Sequence, residues 1–416
     1  MSEEDPPALG HPRPPAAQTG VPRGVWVLGF VSLFMDVSSE MIHVLLPLFL
    51  VSSLGAGAIS VGVIEGVAES TASFTKMLSG ALSDRLRRYK LLATVGYALA
   101  AATKPAFALA PSVGWVFGAR FVDRMGKGIR EAPRDALIAE LSPPQVRGGS
   151  YGLRQALDTV GAIAGPLFAT LLMAASHGAF RTVFWLATLP ALVAVALILF
   201  GVREPEMHRA GPSTHLEAHP TAARRLPSTY WWVVGVAGLL ALARFSEAFL
   251  VLRARDVGVR PALVPLVLVA MNVAYAASSY PAGRLSDRLP RFPLLLLGFA
   301  VLALADVLLA MASTPFLVVC GVLLWGLHMG LVQGLLSALV ADTAPPAARG
   351  TAFGVLNLVL GLATLIASVV AGWLWERHGP SSTFLAGATL LAGALLGLEG
   401  LRRFGSGLPP LGGRTS

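Results

Sequence analysis

Gly80-Ala-Leu-Ser-Asp84-Arg85-Leu86 recurs as Gly283-Arg-Leu-Ser-Asp287-Arg288-Leu289, 203 residues further along the chain. A second stretch keeps nearly the same offset. Ala136-Leu-Ile-Ala-Glu140, followed by Pro143, Pro144, Arg147, Gly148 and Gly152, returns 202 residues later as Ala338-Leu-Val-Ala-Asp342, followed by Pro345, Pro346, Arg349, Gly350 and Gly354. Two matches in register make the chain a parallel repeat of two halves rather than one domain with similar basic loops.

Around these copies the chain is too apolar for water. Of its 416 residues 55% are hydrophobic and only 13% charged, the latter about half the share of a soluble domain. A membrane protein need not hide that surface, because lipid solvates it. A helix needs roughly 20 apolar residues to cross a bilayer. Hydropathy and loop punctuation place such spans at 24–52, 58–82, 90–110, 113–141, 147–175, 181–202, 229–252, 262–283, 292–312, 315–341, 350–374 and 381–402. The fold expected is all-α and integral to the membrane, twelve transmembrane helices in two six-helix halves related by pseudo-two-fold symmetry. Residues 1–23 read as a disordered tail, 24–202 and 229–403 as the halves, 203–228 as a polar central loop and 404–416 as a second tail. The Pro-rich start, MSEEDPPALGHPRPP, opens with acids and carries no basic segment before the first apolar run, so it does not read as a signal peptide.

The +9 net charge sets topology rather than nucleic-acid binding. Arg85, Arg87, Arg88, Lys90, Arg147, Arg203, Arg209, Arg224, Arg225, Arg288, Arg291 and Arg349 fall in loops on the side of the termini; the opposite side has only Arg181, Arg255, Arg260 and Arg377. The positive-inside rule then puts both termini in the cytoplasm of a multi-pass protein of the bacterial inner membrane. Trp231 and Trp232 suit interfacial anchors. The lone Cys320 excludes an internal disulfide.

The repeated loop carries a resemblance. Gly80-x3-Asp84-Arg85-x2-Arg88 resembles the signature between helices two and three of the major facilitator superfamily, with Arg87 where that family usually has Gly. The resemblance implies the major facilitator fold and a gating role for Gly80, Asp84, Arg85 and Arg88, with Gly283, Asp287 and Arg288 as a degenerate second copy. Gly152-x8-Gly161-x3-Gly165-Pro166 resembles the antiporter signature of the drug:proton exporters of that superfamily, with Ala169 where a further Gly is usual. It implies export. Arg120 and Gly126 partly match the family's Arg-containing helix-four motif, but Asp123 and Arg124 stand where Gln and Gly are usual.

Ionisable groups inside spans are costly, by about 2.5–3.5 kcal/mol at a helix centre, and are functional candidates by default. They crowd into the first half. Asp36, Glu40 and His43 share one face of the first span, and Glu65, Glu69 and Lys76 one face of the second. The third span has Lys104. On the fourth, Arg120, Arg124, Lys127, Glu131, Arg134 and Asp135 form a stripe, with Asp123 and Arg130 off it; the fifth adds Arg154 and Asp158. Such stripes must face one another or water. The second half answers sparsely, with Arg244, Glu247, Asn272, Tyr275, Tyr280, Gln333 and Asn357.

A proton carrier must alternate between a dry, partnered state and a wet one. Asp36, Glu40, His43, Glu65, Glu69, Asp123, Glu131 and Asp158 are the candidates, Glu40 and Glu69 foremost. Lys76, Arg120, Arg124, Lys127, Arg154, Arg244, Glu247, Asn272, Tyr275, Gln333 and Asn357 are candidates for substrate contacts or charge partners. Permanent structural ion pairs are the competing account. Asp36, Glu40 and His43 could also ligate a divalent metal with Glu65 or Glu69; no metal site is assigned. His208, His215 and His219 read as solvated loop residues. The function expected is a secondary active transporter working by alternating access, coupling proton entry to export of a small anionic or zwitterionic solute. Uptake by symport, divalent-metal export and a non-transporting receptor are the alternatives. No phosphate loop, nucleophile elbow or HExxH pattern suggests an enzyme. No cofactor is expected beyond the proton gradient. The expected partners are a small-molecule substrate, protons and the lipid bilayer, with no nucleic acid, and the chain is expected to be a monomer.

Overall fold

The computed structural model describes residues 21–86, 88–143, 146–202, 226–286, 289–345 and 349–404. Among these, regular structure is helical throughout. The first half comprises α1 (Arg23–His43), α2 (Leu46–Ser52), α3 (Ala58–Leu86), α4 (Tyr89–Leu109), α5 (Val113–Leu141), α6 (Arg147–Ala175) and α7 (Phe180–Gly201). The second comprises α8 (Ser228–Ala243), α9 (Ala248–Asp256), α10 (Leu266–Ser286), α11 (Arg291–Met311), α12 (Pro315–Thr343), α13 (Arg349–His378) and α14 (Pro380–Phe404). Among the described residues, eight spans are long and apolar enough to cross a membrane on length and composition alone. α5 is not among them, because it carries too many charged residues, Arg120, Asp123, Arg124 and Lys127 among them.

Two expected spans are broken. The 24–52 run divides at Val44 and Leu45. Pro47 lacks an amide hydrogen and its ring clashes with the carbonyl four residues back, that of His43, where α1 ends. The 229–252 run opens at Arg244–Glu247. Ser246 steadies that break: its amide donates to Ser368 Oγ at 3.2 Å and its hydroxyl accepts from the Ala248 amide at 3.2 Å. Phe245, in the same break, packs on Phe249, Trp325 and Phe384 with ring centroids 5.4–5.5 Å apart.

The halves meet along two seams, α3 on α13 and α6 on α10. On the side away from the termini they are sealed. Leu46, Leu48, Phe49 and Leu50 of α2 share one apolar cluster with Phe249, Leu250 and Val251 of α9. There Glu376 of α13 accepts a 2.8 Å hydrogen bond from the Ile59 amide in the first turn of α3. On the side of the termini, the first half keeps a separate core around Val25, Leu28, Tyr97, Leu137 and Ile198. On that side α6, α10 and α12 border an open cleft at Gln155, Tyr275 and Gly334.

Candidate functional site

The charges of the first half assemble into two tiers. The inner tier begins at His43, whose Nδ1 lies 3.5 Å from Glu40 and whose Nε2 lies 3.4 Å from Glu65. Arg120 donates to Glu65 at 2.7 Å, both groups being almost wholly buried. Asp123 takes Lys104 at 2.7 Å, with Arg120 at 3.8 Å and Arg124 at 3.5 Å, and Lys104 also donates to Ser39 Oγ at 3.1 Å. Arg124 reaches Glu69 at 3.4 Å.

The outer tier lies nearer the termini. Lys76 pairs with Glu131 at 2.9 Å, and Arg130 sits 3.7 Å from Asp36 and 5.0 Å from the centre of the Tyr97 ring. Arg134 bonds Ser32 at 2.9 Å and Asp135 at 3.1 Å, while Arg154 pairs with Asp158 at 2.6 Å. Asp36, Asp135 and Lys76 keep 27%, 33% and 41% of their side chains exposed.

Several expectations change at this level. Asp123 and Arg130, off the six-residue stripe of α5, are buried and paired as well. The reason is that α4 packs on the back of α5 and offers Lys104 and Tyr97. Lys76 is taken by Glu131 and so is not a partner of Glu69. Of the three groups weighed as metal ligands, Asp36 is drawn to Arg130 while Glu40 and His43 stay paired with each other, and no group of three or more His, Cys, Asp or Glu suited to a metal ion occurs among the described residues.

Between the halves the inner tier opens on a cavity of 380 Å³. Glu40, His43, Glu69, Arg124 and Lys127 line it from the first half; Arg244, Glu247, Asn272 and Asn357 line it from the second. Glu40 and Glu69 are 25% and 39% exposed, against 1% for Glu65 and 4% for Asp123. Lys127, Arg244 and Glu247 form no ion pair within 4 Å among the described residues. Asn272 donates to the Ala162 carbonyl across the α6–α10 seam at 3.1 Å. Tyr275 and Gln333 are not brought into this chamber; with Gln155 and Gly283 they line a crevice of 260 Å³ on the side of the termini.

The glycines of α6 have a definite task. A Cβ at Gly161 would fall 2.9 Å from Asp36 Cβ, and one at Gly165 would fall 2.6 Å from Glu40 Cβ and 2.8 Å from the Val37 carbonyl. They let α6 press on the acid-bearing face of α1, and Pro166 lies inside the same helix. Gly152, the first residue of that pattern, touches nothing at its Cβ position. A Cβ added at Gly80 would lie 3.6 Å from Ala132 Cβ of α5, and Arg85, near the end of α3, and Arg88, just before α4, are exposed. Asp287, Arg288, the Asp84 side chain and the loop histidines lie outside the described residues.

One group escaped the sequence reading. Asp306 of α11 is fully buried and neither carboxyl oxygen has a hydrogen-bond partner among the described residues. It abuts Gly387 of α14. The rule that singled out the acids of the first half applies equally to an Asp in Leu-Ala-Leu-Ala-Asp306-Val-Leu-Leu.

Two charged faces closing on one chamber, sealed at one end of a helical bundle, define a membrane transporter rather than an enzyme. Comparison with known proteins agrees. The model of the Major Facilitator Superfamily matches residues 28–253 and 239–410. An uncharacterised MFS-type transporter of Methanocaldococcus jannaschii is 32% identical over 90% of this chain and 94% of its own length. The multidrug resistance protein MdtH of Cronobacter sakazakii is 26% identical over 69% of this chain and 68% of its own. Among solved structures, the nucleoside transporter NupG superposes with a TM-score of 0.76 at 14% identity, covering 91% of this chain and 99% of that one. The chain belongs to the major facilitator superfamily.

Proposed function

We propose that this transporter is a proton-coupled exporter of a small solute bearing negative or zwitterionic charge, working by alternating access in the bacterial inner membrane with both termini cytoplasmic. The observation that carries this reading is the chamber at the seam. Glu40 and Glu69 border it with part of each carboxyl open, beside the cations Arg124, Lys127 and Arg244. A carboxylate whose cationic neighbours move with the helices gains or loses its proton as they do. The anionic group of a zwitterionic substrate would take the cations, while its cationic group would compete with the proton for the carboxylates of Glu40 and Glu69. Proton and substrate then exclude each other, which is the requirement for antiport.

The remaining pieces support parts of this scheme. The seal made by α2, α9 and Glu376 serves as the gate on the far side, and Asp84, Arg85 and Arg88 as the latch on the near side. The likeness to a multidrug resistance protein supports export over uptake, as does the glycine pattern pressing α6 onto α1. Glu65, Asp123 and Asp158, each tightly held, serve to fix the helices.

The test begins with a thermal-shift ligand screen on the purified protein, followed by reconstitution with an imposed pH gradient. Exchange of the identified solute against protons is expected. Glu40→Gln and Glu69→Gln should each cut gradient-driven flux by roughly tenfold or more while solute-for-solute exchange persists. Flux driven in the direction of the proton movement would instead establish symport. Full gradient-driven flux in both variants would remove these acids from the coupling.

A further inference from the structure

We propose that the solute is a single-chain amphiphile, its charged headgroup in the central chamber and its hydrocarbon tail in a lipid-facing groove beside it. This rests on the transporter reading above and names the class of molecule that the same site takes.

The groove lies on the outer flank of the α3–α13 seam and has a volume of 470 Å³. Phe74, Leu78, Phe121, Met125, Leu358 and Leu362 form its walls. Phe74, Leu78 and Leu362 are 49%, 52% and 51% exposed. On helices that cross a membrane, such exposure is to acyl chains.

The groove is not sealed from the chamber by bulk. Ser73 and Gly361 line both spaces. At this point the partition consists of small residues: Ser70 Oγ donates to the Gly361 carbonyl at 2.7 Å, and a Cβ added at Gly361 would lie 3.3 Å from Ser73 Cβ. On either side the seam is filled, by Leu365 against Gly66 and by Met77 against Gly354. The thin place therefore sits level with the charges. Glu69 is one helical turn from Ser73 on α3, and Arg124 adjoins Met125 on α5, so both helices turn a charged face to the chamber and an apolar face to the groove.

The physical advantage is specific to an amphiphile. A tail drawn bodily into the charged chamber would displace water from ionised groups without replacing its hydrogen bonds. A tail that stays in the groove never leaves an apolar medium, and only the headgroup changes surroundings. A wholly water-soluble solute gains nothing from the groove.

The test uses the full-length protein in proteoliposomes containing a trace of fluorescent lysophosphatidylcholine or lysophosphatidylglycerol, with albumin outside to extract lipid from the outer leaflet. One or both should leave the inner leaflet faster than in protein-free vesicles. Leu358→Trp, which fills the groove from its lipid side, should slow this about tenfold, as overfilling a packed passage does. Gly361→Val, which thickens the partition, should do the same, and unchanged thermal unfolding of either variant shows that it has folded. Equal rates in wild type and in a folded variant would overturn the assignment. So would movement of neither lipid while a water-soluble compound from the screen is exchanged for protons; that result would leave the proton-coupled reading standing. Failure of every solute to respond to the gradient would count against the coupling itself, whereas loss of gradient response with lipid movement intact would spare the amphiphile.

Discussion

At the scale of single residues, exposure divides the acids into two groups. Glu65, Asp123 and their cations are dry and doubly bonded; Glu40 and Glu69 are paired more loosely and wetted from the chamber. A buried ion pair stripped of one partner leaves an uncompensated charge, which costs about 3–5 kcal/mol, whereas removing both charges is often neutral. Lys104→Met, which leaves Asp123 only the longer contacts to Arg120 and Arg124, should therefore lower stability by up to about that amount, and Lys104→Met with Asp123→Asn should restore part of it. Thermal or denaturant unfolding in detergent measures both. If the double variant is no more stable than the single one, the pair is not self-contained.

The same residues show what the sequence disclosed and what it withheld. That a half-dozen acids face inward was legible, because lipid forbids the alternative. Which cation each would take was not. Lys76 and Glu69 share a face of α3, yet Lys76 turns to Glu131 of α5, a choice made by the approach of two helices rather than by spacing on one. Asp306 was legible by the same rule and its isolation was not, since only packing shows that its carboxyl lacks a hydrogen-bond partner among the described residues.

At the scale of helices, glycine placement sets how closely the acids are held. Gly161 and Gly165 bring α6 against Asp36 and Glu40, and at that spacing a larger side chain must displace α1. Gly165→Leu should destabilise the fold by about 1–3 kcal/mol through overpacking and reduce transport further than that loss of folded protein explains. Gly152→Leu, at a position with open space around it, should leave stability unchanged. Unfolding and flux measured on the same preparations separate the two effects. Equal penalties at both positions would detach the α6 pattern from the α1 acids. Helix limits were mostly readable from hydropathy, as α5 and α6 fall on the expected 113–141 and 147–175. The breaks in the first and seventh spans were harder to see. Pro47 was a signal for one, while the opening at Arg244–Glu247 depends on Ser368 and on the aromatic cluster around Phe245.

At the scale of the whole molecule, two seams and one seal describe a carrier caught with its chamber turned toward the termini. The repeat announced two halves; it could not announce which end would be shut, because both arrangements use the same sequence. The bond from the Ile59 amide to Glu376 crosses the halves at the sealed end. Its removal in Glu376→Ala should shift the balance toward the opposite opening by a few fold, a weight fitting a helix-capping contact of about 1 kcal/mol.

The account is tested most directly by pulsed electron–electron spin resonance on a Cys320→Ser background. One label pair, at Ser53 and Asp256, spans the sealed end, and another, at Gly152 and Gly334, spans the open cleft. The account predicts two distance populations in each pair, with acidic and alkaline buffers moving the pairs in opposite senses, one widening as the other closes. A single unchanging distance in both pairs, in the same preparations that hold an intact fold, would contradict it.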